Sequence, residues 1–273
     1  MLGTLSPRPV IGVLDRFMAG HPDATTPFLL VDLDVVGRQY ASLTAAMPGV
    51  EVFYAVKANP APEVLRLLID QGSHFDVASR GEIELCLALG ADPARLSYGN
   101  PVKKERDIAT AYLYGVRMFT VDSAPELDKV LGTVAGGTVF VRILTDGAGA
   151  DWPLSRKFGC TESEAESMLL CAARAGLDVG ISFHVGSQQR DPGAWDRPLR
   201  QAARLSRRLA ADGHELAAVN LGGGLPSRHA DPTADIETYG AAIGASVAGH
   251  LGPRFSGRVL VEPGRFLVGD AGV

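Results

Sequence analysis

The sequence predicts an α/β chain folded as a (β/α)8 barrel, and three observations carry that expectation. Eight short runs rich in β-branched and aromatic residues recur from residue 51 onward, at 51–57, 74–79, 95–100, 118–123, 138–144, 178–187, 218–224 and 258–263. Amphipathic helical patterns lie between them, several opening on Pro or an acidic residue and closing on Gly. The runs are apolar throughout rather than alternating, as expected of strands buried on both faces of a parallel sheet. Such alternation implies parallel pairing through right-handed crossovers. Six strands would fit an open doubly wound sheet; eight at this spacing favour closure.

In chain order, residues 1–50 stand outside the repeat. TPFLLVDLDVV (26–36) reads as a strand, and GRQYASLTAAMPG (37–49) as a helix leading into the barrel, which occupies 51–273. The helical stretches that follow are PEVLRLLIDQG, RGEIELCLALG, KERDIATAYLYG, APELDKVLGTVA, ESEAESMLLCAARAG and DRPLRQAARLSRRLAADG. Residues 143–159 read as a loop. The last strand run is followed by Val273 without an evident closing helix.

Composition narrows the function classes. With 273 residues, 46% of them hydrophobic, the chain can bury one large core or two modest ones. Its 32 glycines and 17 prolines are too few for a disordered or collagen-like chain. A net charge of -5 provides no basic surface for nucleic acid. No apolar run approaches the roughly 18 residues of a membrane helix, and the N-terminus lacks a secretory layout. Cys86, Cys160 and Cys171 form no CxxC pair, which points to a reducing, cytoplasmic setting and to no metal site.

In such barrels chemistry gathers at the C-terminal strand ends. Lys57, Asp76, Asn100, Asp122, Arg142, His184, Gly222–Gly224 and Glu262 fall there. Lys57 is either a charge that reaches solvent or a buried amine of depressed pKa suited to Schiff-base chemistry. The three glycines are a phosphate cradle or a plain tight turn. Glu262 forms a local salt bridge with Arg265, or else holds a ring nitrogen protonated while Arg265 meets a phosphate. His184 is a satisfied core residue or a ring-stacking partner. A lysine, a glycine cradle, a histidine and an acid on one rim together compose a pyridoxal phosphate site.

The stretches FYAVKANP (53–60), FDVASRGEIE (75–84), YGNPVKKERDI (98–108), VDS (121–123), SFHVGSQ (182–188), LGGGLP (221–226) and VEPGRFLVGDAGV (261–273) are similar to a known family. They resemble, in the same order, the fold-type III pyridoxal-phosphate-dependent decarboxylases of ornithine, lysine, diaminopimelate and arginine. The resemblance implies an alanine racemase-like barrel in which Lys57 anchors the cofactor, His184 stacks on its ring and Glu262 pairs with the ring nitrogen. It places Ser187, Gly224, Gly264 and Arg265 on the phosphate, Gly223 and Pro263 among the cofactor-binding residues, and Asp76, Glu82 and Arg142 as lining or buttressing residues. The 143–159 loop looks like the ornithine/lysine branch, so the implied reaction removes CO2 from ornithine, or next from lysine, to give a diamine for polyamine biosynthesis.

The family carries a second, β-rich domain that supplies a proton-donating Cys, acidic residues for the distal amine and a Tyr on the phosphate; none has a counterpart here. The chain therefore reads as a truncated member or its barrel portion, inactive alone for want of that donor, and the implied partner is a second copy in a homodimer. The alternatives are diaminopimelate decarboxylation and a non-catalytic, regulatory cofactor-binding barrel. A racemase would place arginine opposite the ring nitrogen, which Glu262 argues against.

Overall fold

The computed structural model describes residues 9–154, 157–228, 232–253 and 255–273. The eight expected strand runs form a closed, wholly parallel barrel. Its strands are β1 (Glu51–Ala55), β2 (His74–Val77), β3 (Leu96–Tyr98), β4 (Met118–Val121), β5 (Thr138–Arg142), β7 (Asp178–Ser182), β9 (Leu216–Asn220) and β10 (Arg258–Val261), the last pairing back onto β1. A separate antiparallel pair, β6 (Ala150–Trp152) and β8 (Ser187–Gln189), lies at the rim.

Around the barrel run α3 (Pro62–Asp70), α4 (Arg80–Ala88), α5 (Glu105–Leu113), α6 (Ala124–Leu131), α7 (Glu162–Arg174), α8 (Asp196–Ala211) and α9 (Ile236–Leu251). The remaining place is filled from the N-terminal side. Helix α2 (Leu33–Ala46) packs between α9 and α3 and so completes the ring. The short α10 (Arg265–Val268) packs against α2, and α1 (Pro9–Gly20) precedes it in the chain.

The barrel axis is layered. Phe53, Met118, Phe140, Ala218 and Leu260 form an apolar plug. Gly180 makes room for it, since a Cβ there would stand 2.5 Å from the Phe140 ring. Truncating a fully buried ring such as Phe140 costs about 3–5 kcal/mol, so this layer is rigid support for what lies above. The larger apolar layer sits between sheet and helices.

Three expectations are corrected. The strand over 26–36 does not form, because the Asp32 carboxylate accepts the Asp34 N–H and opens α2 at Leu33. Only Leu30–Asp32 runs extended, bonded to Ala271 and Val273 through Leu30 N–H, Val273 N–H and Asp32 N–H. The 178–187 run is broken after Ser182, and its tail becomes β8 rather than more barrel strand. The 143–159 loop contains β6; residues 155–156 of it, and 1–8 at the N-terminus, lie outside the described residues. Among the described residues no helix is long and apolar enough to cross a membrane, and no group of three or more His, Cys, Asp or Glu could hold a metal ion.

Candidate active site

The polar rim residues converge because parallel strands deliver their C-terminal ends to one face. Lys57 leaves β1 in one turn of 3-10 helix (Val56–Ala58) and reaches across to β2, where Nζ donates to Asp76 Oδ2 at 2.9 Å. Its side chain is 60% exposed whereas Asp76 is almost fully buried. The Asp76 charge, helped by Glu262, raises the Lys57 pKa above its ordinary value against the pull of burial. This direction is opposite to that of the depressed-pKa amine left open by the sequence. Asp76 Oδ1 has no hydrogen-bond partner among the described residues.

Glu262 follows β10. Burial, with Asp76 adding, lifts its carboxyl to about 7. The local salt bridge to Arg265, one of the two alternatives open from the sequence, does not form among the described residues. Glu262 Oε1 instead accepts from Asn220 Nδ2 at 2.6 Å, and the Arg265 guanidinium lies over the Trp152 ring at 4.8 Å. His184 follows β7, where its Nδ1 accepts the Gly186 N–H at 3.1 Å, which leaves the ring proton on Nε2. Burial, with Arg142 and Lys57 adding, pushes His184 down to about 3, so the ring is neutral. Arg142 at the end of β5 has its guanidinium 5.3 Å from the Phe158 ring centre, and burial lowers its pKa while Glu262 and Asp76 oppose.

Lys57, His184, Ser187, Gly223, Gly224, Glu262, Gly264 and Arg265 share one cavity of about 200 Å³ with Ala55, Ala58 and Leu225. A Cβ on Gly223 would stand 3.0 Å from His184 Nε2, and Gly224 turns at a φ of +114°, which glycine alone adopts readily. An adjoining cavity of about 560 Å³ shares Lys57, Ala58 and Arg265 and extends towards Leu29 and Val273.

Other sequence candidates fall elsewhere. Asn100 donates to the Ala78 carbonyl, Asp122 accepts Gly159 N–H at 2.9 Å and holds the 143–159 loop, and Glu82 accepts Ala78 N–H at 2.7 Å near the start of α4. Pro263 is buried, its carbonyl accepting Ala55 N–H at 3.0 Å, and extends the β1–β10 seam. Asn220 and Trp152 were not singled out by the sequence reading. A polar residue ending the apolar run before the three glycines could have pointed to Asn220.

The donor set suits a flat cationic ring bearing a phosphate. An acid without a cation bonded to it could face such a ring, a neutral imidazole could pack on its face, and a glycine-lined end with Arg265 could take the anion. A family model described as pyridoxal-dependent decarboxylase, pyridoxal binding domain, matches residues 33–269. The chain belongs to this family. Pyridoxal phosphate, expected from the sequence, is the cofactor of such a domain. A lysine/ornithine decarboxylase of Selenomonas ruminantium is 41% identical over 248 residues, covering 90% of this chain and 62% of that protein. The crystal structure of a lysine/ornithine decarboxylase from Vibrio vulnificus complexed with putrescine superposes with a TM-score of 0.85 at 30% identity, covering 95% of this chain and 69% of that one. Antizyme inhibitor 2 of Xenopus laevis is 33% identical, covering 89% of this chain and 54% of that protein. The chain thus spans about three-fifths of the Selenomonas relative.

Proposed function

We propose that this chain is the cofactor-binding barrel of a decarboxylase acting on a basic L-amino acid, ornithine first and lysine next. The observation that carries this reading is the convergence of Lys57, His184, Glu262, the Gly223–Gly224 turn, Gly264 and Arg265 on one cavity. Bound pyridoxal phosphate supplies an electron sink for the pair left behind when the carboxylate departs as CO2.

The chain's own groups prepare that chemistry. Lys57 Nζ is the covalent anchor, and Asp76 Oδ2 at 2.9 Å stands ready to take the proton the amine must shed. Glu262 holds the proton at the cofactor's ring nitrogen. His184, fixed by Gly186, packs against the ring face without adding charge. The N–H groups of Gly223, Gly224 and Gly264, with Ser187 and Arg265, receive the phosphate. Arg142 and Asp76 flank the ring from β5 and β2. The names of the relatives support a basic amino acid as substrate, and a homodimer is the assembly we assign to the full-length form.

A second reading, a non-catalytic barrel, is favoured by one observation, the relative named as an antizyme inhibitor. The chain loaded with pyridoxal phosphate is incubated with L-ornithine, L-lysine and meso-diaminopimelate, and CO2 and amine product are measured. Release from ornithine ahead of lysine, at well above the rate of free cofactor, upholds the decarboxylase reading. Displacement of Lys57 from the cofactor by ornithine or lysine without CO2 is the outcome for a decarboxylase barrel that lacks the donor; cofactor that stays on Lys57 with every amino acid favours the second reading, and CO2 from diaminopimelate alone overturns the assigned substrate.

A further inference from the structure

Asn220 closes a ring of three hydrogen bonds between the glycine turn and the buried acid. Its Nδ2 donates to Glu262 Oε1 at 2.6 Å, and its Oδ1 accepts Gly222 N–H at 2.9 Å. The third bond runs from Glu262 N–H to the Gly222 carbonyl at 2.9 Å. Asn220 is the last residue of β9 and only 1% exposed, and β9 is the barrel neighbour of β10, which carries Glu262 at its end.

The polarity of this ring is fixed. A carboxamide has a donor end and an acceptor end, and Gly222 N–H selects the acceptor end. The amino end must then face Glu262, so the side chain cannot flip. Gly222 admits no other residue: its φ is +67°, and a Cβ there would stand 2.0 Å from the Phe183 carbonyl oxygen. With Oε1 occupied, Oε2 of Glu262 has no hydrogen-bond partner among the described residues.

We infer that Asn220 is a positioning residue that turns Glu262 so that Oε2 meets the cofactor's ring nitrogen, and that ties this carboxylate to the turn leading into the phosphate cradle. The inference rests on the reading of Glu262 as the ring-nitrogen partner. An apolar side chain of equal size would leave the buried Gly222 N–H without a partner and take from Glu262 Oε1 its only donor among the described residues. A donor held to one oxygen also stabilises the ionised form of Glu262.

The test is an infrared titration of the Glu262 carboxyl in cofactor-free protein, its band assigned by loss in Glu262→Gln. In Asn220→Ala the midpoint rises by about one pH unit, the value of one hydrogen bond to a charged group. Asn220→Asp retains the acceptor for Gly222 and shares a proton with Glu262, so a protonated carboxyl persists to higher pH than in wild type. If Asn220→Ala fails to fold, Asn220→Asp carries the test. Midpoints unchanged from wild type in the folded variants overturn the proposal.

With ring-15N-labelled pyridoxal phosphate bound, the wild-type nitrogen resonance is that of a protonated ring, and in Asn220→Ala it moves towards the unprotonated position. An unmoved resonance also overturns the proposal. A shifted carboxyl midpoint in protein that binds no pyridoxal phosphate at Lys57 would instead sink the cofactor-site reading and, with it, the role of Asn220 towards the ring.

Discussion

Two clusters of buried charge lie near the same rim, and they are built on opposite plans. Between β3 and β4, Lys103 has a fully buried side chain paired with Glu126 at 3.0 Å. Its ammonium also donates to the carbonyls of Asn100 at 3.0 Å, Pro101 at 3.3 Å and Thr120 at 2.5 Å. Glu126 Oε1 takes Lys103 N–H as well, and Oε2 takes Lys129. Every valence is spent. Across the barrel mouth, Lys57 has one ion pair, Asp76 Oδ1 has no partner, and Arg142 makes no ion pair among the described residues. A buried cluster that satisfies itself is scaffold; one that leaves directed valences over is prepared for a ligand.

That contrast breaks first under substitution of the two lysines. Lys103→Met leaves Glu126 and the carbonyls of Asn100, Pro101 and Thr120 short of a donor and destabilises the barrel by about 3–5 kcal/mol. Lys57→Met takes the donor from the almost fully buried Asp76, and because the pair is open to solvent on the Lys57 side it costs less than the loss of Lys103, about 1–3 kcal/mol. Urea denaturation of both variants checks this, and equal losses would erase the distinction between the clusters.

The next largest effect is a pH dependence. Glu262 is raised from its ordinary 4.5 to about 7 in the folded chain. Between those values the folded state holds more protons than the unfolded one, so this group's contribution to stability falls as pH rises. Glu262→Gln removes the effect. Relative to the variant, cofactor-free wild type therefore loses about 3 kcal/mol between pH 4 and pH 8, by denaturation at both pH values. A constant difference would mean that Glu262 is not held by burial.

The smallest effect concerns the rim strand. Trp152 is half exposed and stacks on Arg265, which lines the cofactor cavity. Trp152→Ala removes a cation–π contact of about 0.5–1 kcal/mol and weakens pyridoxal phosphate binding roughly threefold. Equilibrium titration measures this, and affinity equal to wild type would make the contact incidental.

Much of this was legible in the sequence, for physical reasons. The strands announce themselves because both faces are buried, and the rim chemistry follows because parallel strands end together. Helix α9 did not, since IETYGAAIGASVAGHL spreads small apolar residues and glycines around its whole circumference and leaves no clear polar face. Strand β6 is three residues long and owes its conformation to pairing with β8. The N-terminal run 26–36 looked like a strand by composition, yet the Asp32 cap decides its fate locally. Lys57, His184 and Glu262 stood out as polar residues ending apolar runs. Asn220 was hidden because its importance lies in a bond to a neighbouring strand 42 residues away.

The central claim is that Lys57 is the one lysine this barrel reserves for the cofactor. The most direct measurement is borohydride reduction of the chain with bound pyridoxal phosphate, followed by peptide mass mapping. The account predicts a Schiff-base absorption band before reduction and the label on Lys57, with both lost in Lys57→Ala. Labels spread over Lys103, Lys104, Lys129 and Lys157, or a full band in Lys57→Ala, would contradict it.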